Sequence, residues 1–540
     1  MALATDRQKV EEVGVRYRVL VADGLGEAGL RRLRESCEVQ VFRGLSEEEL
    51  CARLEGVHAL IVRSRTRVTR RALEAGRDLR VVARAGVGVD NIDLEAATRA
   101  GVLVINTPDS SVRATAEHTL AMLLACCRNL PQAYQSLQRG EWNREAFVGT
   151  EVYGKTLGVV GLGRIGSEVA RLARGVGMRV VAYDPYVSGE RAAHLGAELV
   201  PFERLLEEAD FITLHVPLSP QTRGMIGRAE FRRMKRGVRL VNCARGGLVD
   251  EEALLEALEE GHVAGAALDV FAEEPPRDLR LVRHPRVVAT PHLGASTREA
   301  QEAIGVDVAE QVLQALAGRL PRGAVNVAAF RGDAWERLSP HLELGRVLGA
   351  LLRQLSPGPI HAVEVRLEGE LSHVEPSPLV ASVLVGLLSG VTDQVVNVVN
   401  AHLLAGERGI RVVESRQETS EDFASLMVVT AHTPGGDFQL GGTLFGRSEP
   451  RIVRIGQYRI DLDPAPYMLF AWNTDRPGMI GRVGTILGRH SVNIAGMHLG
   501  RESPGGVAVM VLTLDDPVPP EAVAEIRSLD GIYDVKVAQL

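Results

Sequence analysis

Short apolar runs alternate with amphipathic stretches over residues 17 to about 290. The runs YRVLVAD, HALIVRS and VLVINTP have the length and β-branched content of strands, whereas GEAGLRRLRE and NIDLEAATRAG have helical spacing. A longer, mostly apolar helix is predicted over residues 116–130, and the alternation restarts at KTLGVVGLGRIG. This alternation predicts an α/β fold with two Rossmann-like, doubly wound parallel-sheet domains and a cleft between them.

The pattern changes after about residue 326. The stretch PHLELGRVLGALLRQL is a predicted helix, HAVEVRLEGE and SLMVVTAHT are predicted strands, and the polar stretch GERGIRVVESRQETSED is a predicted loop without chemistry. Residues 467–540 predict the element order βαββαβ, with helices after DRPG and PVPP. The sequence therefore predicts an α+β domain that is followed by a ferredoxin-like domain.

Composition narrows the possible partners and the location. A formal net charge of -7 and an aromatic content of only 4% argue against nucleic-acid binding. Apolar runs are too short for a membrane span, and the N-terminal stretch MALATDRQKVEEVG lacks the apolar centre of a signal peptide. The five cysteines are odd in number and lack metal-ligand spacing, so we expect a reduced, cytoplasmic protein without a metal site.

A glycine-rich turn follows the predicted strand TLGVV and opens a predicted helix. Gly161 permits the tight turn, Gly163 lets the backbone approach a pyrophosphate, and Gly166 lets the helix pack close to the strand. The next strand ends in Asp184, 18 residues past Gly166, where a carboxylate can accept hydrogen bonds from ribose hydroxyls. No arginine follows at once, so the sequence predicts NAD rather than NADP. The alternative is an ordinary strand-to-helix turn with a solvated Asp184.

Three later predicted strands each end in a polar cluster, which contains Arg245, Glu274 and His292 in turn. The carboxyl ends of parallel strands meet at one edge of a sheet, so these residues should converge near the nicotinamide. A histidine suits removal of a hydroxyl proton, a carboxylate behind it would fix its tautomer, and an arginine would hold a substrate carboxylate. Taken singly, each residue has a structural alternative. His292 could be a structural histidine, Arg245 part of a surface ion pair, and Glu274 a helix or turn residue before Pro275.

The motifs GLGRIG, NCARGGLVDEEAL, GAALDVFAEEPP and PHLGAST resemble those of the D-isomer-specific 2-hydroxyacid dehydrogenases, in the long form that ends in an ACT domain. The resemblance covers residues 17–540. It implies that Arg245, Glu274 and His292 are the catalytic set and that Asp269 lies near the nicotinamide. It also implies further cofactor contacts at Arg164, Ile165, Cys243, Gly294 and Ala295.

The resemblance also implies a domain plan and a reaction. The substrate-binding domain would comprise residues 17–110 and 294–325, and the NAD-binding domain residues 111–293. An intervening domain would span 326–464 and an ACT regulatory domain 465–540. The implied reaction is NAD-dependent oxidation of 3-phospho-D-glycerate to 3-phosphohydroxypyruvate, the first step of L-serine biosynthesis. The alternatives are a hydroxypyruvate or glyoxylate reductase, another D-2-hydroxyacid dehydrogenase, or a non-catalytic NAD-sensing regulator.

Substrate recognition is implied by the same resemblance. The loops VRSRT and RAGVGVDNID would bind the carboxylate and phosphate, and a further basic residue would approach from a partner subunit. One loop departs from the family pattern, because Ser110 and Ser111 replace a glycine and an asparagine, and Arg113 is an additional cation. Ser111 can still donate a hydrogen bond. The implied substrate residues are Arg63, Ser64, Arg84, Gly86, Gly88, Ser111 and, from the partner, Arg144.

The ACT resemblance implies an L-serine effector, with Asp475 holding the ammonium group and Asn493 other polar groups. The alternative for Asp475 is a helix N-cap, with Pro477 in the first turn. ACT modules pair edge to edge, so a homo-oligomer, dimer or tetramer, is expected. Three arginines of the intervening domain form a candidate site for an anionic effector, or an exposed strand face: Arg451, Arg454 and Arg459.

Overall fold

The computed structural model describes residues 16–327, 334–392, 394–420, 422–446 and 448–540, with the backbone alone for 334–337. The N-terminal stretch in which no signal peptide is predicted lies outside these residues. Within the described ranges, no helix combines the length and the apolar character that a bilayer crossing requires.

The first sheet is five-stranded and fully parallel, in the order β2-β1-β3-β4-β5. This is one of the two common strand orders of doubly wound folds. Its strands are β1 (Tyr17–Val21), β2 (Cys37–Val41), β3 (Ala59–Val62), β4 (Val81–Arg84) and β5 (Leu103–Asn106). The helices between them are Glu27–Arg34, Glu47–Arg53, Arg70–Ala75 and Leu94–Arg99.

The second sheet is seven-stranded and parallel, in the order β12-β11-β10-β9-β6-β7-β8. Its strands are β6 (Thr156–Val160), β7 (Arg179–Tyr183), β8 (Glu198–Leu199), β9 (Phe211–Leu214), β10 (Val238–Asn242), β11 (Val263–Leu268) and β12 (Val287–Ala289). The connecting helices are Arg164–Gly175, Gly189–His194, Phe202–Glu208, Arg228–Arg233, Glu251–Glu259 and Arg280–Arg283. The strand order reverses between β6 and β9, which is where dinucleotides bind in such sheets.

Two long helices connect these α/β units. Val112–Arg128 leaves β5 and packs against the second sheet, with Met122 and Leu123 in the core around β6. This confirms the buried apolar helix that the sequence predicts. The helix Arg298–Leu316 returns the chain to the first sheet, where Val308 is fully buried. A short helix, Leu130–Gln138, and a 3-10 turn, Glu145–Phe147, follow the first of these helices.

The third sheet is mixed, in the order β14-β13-β15-β16-β17-β18. Its strands are β13 (Ala362–Gly369), β14 (Arg411–Gln417), β15 (Ser425–Thr433), β16 (Gly436–Phe445), β17 (Glu449–Ile455) and β18 (Tyr458–Leu462). Its helices are Ala334–Leu355, Ser377–Leu388 and Ala401–Glu407, with a 3-10 turn at Glu370–His373. The loop predicted over GERGIRVVESRQETSED is wrong, because β14 pairs in parallel with β13. As an exposed edge strand, β14 lacks a buried face, and its sequence therefore shows no apolar alternation.

The C-terminal unit has the predicted order βαββαβ. It consists of β19 (Tyr467–Thr474), Met479–Arg489, β20 (Ile494–Arg501), β21 (Val507–Leu514), Pro520–Arg527 and β22 (Ile532–Gln539). The sheet is antiparallel in the order β20-β21-β19-β22, which confirms the ferredoxin-like fold. One face packs on its own two helices, and the other places Phe470 and Val511 in the same core as Leu351 of the preceding domain.

Candidate active site

The glycine-rich turn between β6 and the helix Arg164–Gly175 is closely packed on one side and open on the other. Gly161 has φ +92°, and a Cβ there would lie 2.6 Å from the carbonyl oxygen of His215. A Cβ on Gly166 would overlap the carbonyl oxygen of Gly161. A Cβ on Gly163 would meet no atom within 4 Å. The helix N-terminus therefore has free space above it at Gly163, which fits the pyrophosphate of a dinucleotide.

Asp184 follows β7 and is tied to this turn. Its Oδ2 accepts a hydrogen bond from the backbone N–H of Leu162 at 2.9 Å, and its Oδ1 accepts one from Tyr186 N–H at 2.9 Å. A solvated strand end would lack these bonds. Each carboxylate oxygen has lone pairs left for ribose hydroxyls. The arrangement fits the adenosine half of NAD.

Three other residues that are predicted to bind the cofactor lie directly after strands of the second sheet, two at the turn after β6 and one after β10. The Nε of Arg164 is 2.7 Å from Oδ1 of Asp109, a residue of the loop after β5, so this ion pair joins the two α/β units. Ile165 packs against the core beneath the turn. Cys243 is buried after β10, and burial raises the pKa of its thiol to about 12, so the thiol stays protonated at neutral pH.

His292 and Glu274 form a hydrogen-bonded pair. The Nδ1 of His292 is 2.7 Å from Glu274 Oε2, and Glu274 Oε1 accepts a hydrogen bond from Phe271 N–H at 3.2 Å. A carboxylate only accepts, so Nδ1 carries a hydrogen and the lone pair of Nε2 is free in the neutral ring. His292 also has φ +56°, an uncommon value for a residue with a side chain. The pair has the geometry of a general base with its orienting carboxylate.

Arg245, after β10, contacts the loop that follows β4. Its Nε donates to Asp90 Oδ2 at 2.8 Å, and its Nη1 donates to the carbonyl oxygen of Ala244 at 2.7 Å. A Cβ on Gly88 would overlap Nη2 of Arg245, so a side chain at this position would displace the guanidinium. The structure therefore brings the arginine of the second sheet to the predicted anion-binding loop of the first.

Arg84 lies at the end of β4, near the arginines Arg245 and Arg63 and the carboxylates of Asp23 and Asp90. Burial, followed by the positive charges of Arg245 and Arg63, lowers the pKa of Arg84 to about 10. Its Nε is buried and has no hydrogen-bond partner among the described residues. A Cβ on Gly86, whose φ is +148°, would overlap Nη1 of Arg84. Three converging guanidinium groups with an unpaired donor are suited to an anion with several oxygens.

The loops around these arginines differ in how well they are fixed. Ser64 is exposed, whereas Ser111 is buried at the start of the helix Val112–Arg128 and makes no side-chain cap. The Oγ of Ser110 donates to Asp307 Oδ2 at 2.7 Å. Arg113 is exposed. Ser110, which replaces the family's glycine, therefore joins the loop to the helix Arg298–Leu316. The hydroxyl of Ser111 makes no hydrogen bond with the described residues.

Arg144 is placed apart from the arginine group. It is exposed, precedes the 3-10 turn Glu145–Phe147, and is not among the charges that act on Arg84. Within the described part of the chain it makes no ion pair. A single chain thus leaves Arg144 outside the site.

Asp269 is the centre of a buried network after β11. It is 1% exposed and accepts hydrogen bonds from Thr290 Oγ1 at 2.6 Å, Leu293 N–H at 2.7 Å and Gly294 N–H at 2.8 Å. His118 Nε2 lies 3.3 Å from the same carboxylate. Burial raises the pKa of Asp269, but the hydrogen bonds from His118 and Thr290 hold it below its ordinary value. Asp269 is therefore an ionised acceptor that fixes the turn after His292.

Some residues of this site were not predicted. His118 lies within the apolar pattern AEHTLAMLL, which indicates only a core helix, and Asp90 lies in a polar loop. Nothing in either pattern marks the partner that the structure provides. Ala295, which was predicted to contact the cofactor, packs against the core of the first sheet, and its carbonyl oxygen accepts a hydrogen bond from Gln301 at 2.7 Å.

The two predicted effector residues are engaged at opposite ends of β20. Asp475 Oδ2 accepts a hydrogen bond from Arg501 at 2.6 Å, which lowers the pKa of Asp475, and Asn493 donates to Asp515 at 2.6 Å. Because Arg501 ends the strand and Asn493 precedes it, one chain does not bring the predicted pair together. The alternative of Asp475 as a helix N-cap is wrong, since Gly478 occupies that position.

The arginines of the third sheet have acidic neighbours. Arg451 lies 3.8 Å from both Asp461 and Asp463, and Arg459 lies 3.0 Å from Asp422. Arg451 and Arg459 therefore have carboxylate partners, whereas Arg454 makes no ion pair with the described residues.

Three family models match the chain. The NAD-binding domain of the D-isomer-specific 2-hydroxyacid dehydrogenases matches residues 120–294, the D-3-phosphoglycerate dehydrogenase intervening domain matches residues 337–456, and the ACT domain matches residues 467–531. These matches confirm the prediction of an NAD-dependent oxidoreductase scaffold with a C-terminal ACT domain.

Relatives match almost the whole chain. D-3-phosphoglycerate dehydrogenase of Synechocystis is 44% identical over 97% of this chain and 95% of its own length, and that of Methanocaldococcus jannaschii is 44% identical over 97% and 100%. A Thermus thermophilus protein of known crystal structure is 41% identical, with a TM-score of 0.54, over 57% of this chain and 99% of its own. The chain therefore belongs to the D-3-phosphoglycerate dehydrogenase family.

Proposed function

We propose that this chain oxidises 3-phospho-D-glycerate to 3-phosphohydroxypyruvate with NAD, the first step of L-serine biosynthesis. The observation that carries the proposal is the convergence of Arg63, Arg84 and Arg245, with the buried Nε of Arg84 unpaired. A substrate with both a carboxylate and a phosphate supplies the negative charge that this group lacks. The names of the near-full-length relatives agree with this substrate.

The chain's own residues account for binding and proton transfer. Arg245 holds the carboxylate through Nη2, which has no acceptor among the described residues, whereas Nε and Nη1 already donate to Asp90 and Ala244. The Nε2 of His292 removes the proton from the 2-hydroxyl group, and Glu274 stabilises the imidazolium that forms. NAD, which the turn at Gly161, Gly163 and Gly166 and the carboxylate of Asp184 would hold, would supply the acceptor for the hydride of carbon 2. In the reverse direction, His292 returns the proton and Arg245 polarises the carbonyl group.

The domain limits and site roles are part of the proposal. Residues 17–110 and 294–325 form the substrate-binding domain, which is supported by the packing of Arg298–Leu316 on the first sheet and by a bridge between Ile105 and Ala324. Residues 111–293 form the NAD-binding domain, 326–464 the intervening domain and 465–540 the ACT domain. The cofactor, substrate and acid–base roles fall on the residues described above.

A substrate series tests the reaction. Purified protein with NAD should form NADH with 3-phospho-D-glycerate, and much more slowly with D-glycerate or D-lactate, because these lack the phosphate. Arg84→Gln should raise KM for the phosphorylated acid while leaving NAD affinity unchanged. Turnover of the unphosphorylated acids at a higher kcat/KM would instead favour a general 2-hydroxyacid dehydrogenase or a reductase. Absence of any NADH formation would favour the non-catalytic regulator.

We propose that the chain forms a homo-oligomer through the segment after the helix Val112–Arg128. Large apolar side chains of this segment are exposed: Leu130 by 55%, Tyr134 by 64%, Leu137 by 56%, Trp142 by 81% and Tyr153 by 79%. So much exposed apolar surface is unusual for a monomer and suits a second copy. Arg144 belongs to the same segment, and a partner could thus carry it to the substrate site. Light scattering should give a multiple of the 58.3 kDa chain mass, and Trp142→Glu should lower it.

We propose L-serine as an effector of the ACT domain. The strand β20 is an edge strand with Met497 and Leu499 exposed by 42% and 45%. Antiparallel pairing of β20 with its copy would bring Asn493 of one chain to the Asp475 end of the other, which one chain alone cannot do. Titrating L-serine into the dehydrogenase assay should reduce the rate, and Asn493→Ala should weaken this response without changing the rate measured in its absence.

We place the protein in the cytoplasm. All five cysteines are free thiols, and four of them are buried. Proteins of oxidising compartments usually pair their cysteines. Fractionation of cells that express the tagged chain should find it in the cytosolic fraction.

A further inference from the structure

His118 lies on the helix Val112–Arg128 and points its ring at the buried end of β11. Its Nε2 is 3.3 Å from Asp269 Oδ1 and 3.3 Å from the hydroxyl of Thr290. The Thr290 hydroxyl donates its one hydrogen to Asp269 Oδ1 at 2.6 Å, so it accepts from His118, and Nε2 carries a hydrogen. The His118 side chain is 20% exposed and that of Asp269 only 1%, so water competes little for this bond.

Asp269 in turn holds the backbone on both sides of the His292 side chain. Its carbonyl oxygen accepts a hydrogen bond from His292 N–H at 2.9 Å, and its carboxylate accepts those of Leu293 and Gly294 at 2.7 and 2.8 Å. His292 has φ +56°, which costs conformational energy and persists only where the surroundings impose it. The orientation of the Asp269 carboxylate therefore sets the conformation of the residue that carries the base.

We propose that His118 is a positioning residue, which orients the Asp269 carboxylate and, through it, the turn that carries His292. The inference rests on the proposed function, because that function assigns the acid–base role to His292. The contact with His118 also helps to lower the pKa of the buried Asp269 carboxyl. The helix Val112–Arg128 also links the two α/β units, so this contact fixes the His292 turn relative to the inter-domain connection.

Three substitutions separate the hydrogen bond from simple packing. His118→Gln keeps an N–H at the position of Nε2, whereas the amide of His118→Asn reaches only as far as Nδ1 of histidine. His118→Leu fills similar space without any donor. The experiment measures kcat, KM for 3-phospho-D-glycerate, the dissociation constant of NAD by calorimetry, and the thermal midpoint of each full-length variant.

We expect His118→Gln to stay close to the wild type. His118→Asn and His118→Leu should each lose about tenfold in kcat, because the turn that carries His292 loses support, and about tenfold in NAD affinity, because the same turn carries the proposed cofactor contact Gly294. Their KM for the phosphorylated acid should not change, because no arginine of that site contacts His118. If His118 only supported packing, the thermal midpoint would fall, but kcat and NAD affinity would not fall selectively while KM stayed unchanged.

Two results would overturn the inference. One is a wild-type kcat and NAD affinity in His118→Asn and His118→Leu. The other is an equal loss in all three variants, His118→Gln included, because that pattern reports packing rather than a donor at Nε2. If the wild type itself does not oxidise 3-phospho-D-glycerate, the proposed function fails, and the NAD dissociation constants of the variants still decide the role of His118.

Discussion

Arg245 donates from Nε to Asp90 at 2.8 Å, and this bond joins the loop after β10 to the loop after β4. The two residues are 155 positions apart in the chain and belong to different α/β units. The bond engages the Nε donor and restricts the orientation of the guanidinium, whose Nη2 lies against Gly88 of the same loop. Asp90 therefore helps to set the orientation of Arg245, which is the proposed ligand of the substrate carboxylate.

We predict that Asp90→Asn reduces kcat/KM about three- to thirtyfold, since a hydrogen bond between charged groups is weakened and partly exposed pairs contribute less than buried ones. The effect should appear mainly as a higher KM for the hydroxy acid. Steady-state kinetics with saturating NAD will measure it. Asp109→Asn, which removes the other ion pair between the two units at Arg164, is the matched control and should leave that KM nearly unchanged.

Removal of the acid–base pair should affect the chemical step. His292→Ala should lower kcat by about 10²–10⁴ because the hydroxyl proton loses its acceptor. Glu274→Gln should lower kcat less, since the base remains but its imidazolium is no longer stabilised by a charge. NAD affinity, measured by calorimetry, should stay at the wild-type value in both. An undiminished kcat in His292→Ala would assign the proton transfer to another group.

Asp269 should make stability depend on pH. In the folded chain the pKa of Asp269 lies below its ordinary value of about 4. Its contribution to the free energy of unfolding is therefore fully present above the ordinary pKa and is lost as the pH falls toward the lowered pKa of the folded chain. Asp269→Asn should therefore lower the thermal midpoint at neutral pH and reduce the further loss on acidification. Thermal scans between neutral pH and about pH 3 test this. Asp278→Asn, at an exposed site, should change little.

Substitutions at the glycines of the turn after β6 should separate effects on folding from effects on cofactor binding. Gly163→Ala adds a Cβ where nothing lies within 4 Å, so the thermal midpoint should stay unchanged while NAD affinity falls. Gly166→Ala places its Cβ against the carbonyl oxygen of Gly161 and should lower both. Calorimetry with NAD and thermal unfolding of the two variants provide the comparison. Unchanged NAD affinity in Gly163→Ala would remove the pyrophosphate from this position.

The sequence alone determined the elements and motifs whose physical cause is local. Strand and helix periodicity, the glycine-rich turn at Gly161 and the polar residues at strand ends all follow from short-range spacing, and the βαββαβ order of the last domain does so as well. The sequence did not predict β14, because an exposed edge strand has no buried face and therefore no alternation of apolar and polar residues. Tertiary structure alone decided which distant side chains meet: Asp90 with Arg245, and His118 with Asp269. The first contact depends on how the two α/β units pack, and the second depends on how the helix Val112–Arg128 packs against the second sheet. Residue spacing within one segment specifies neither distance.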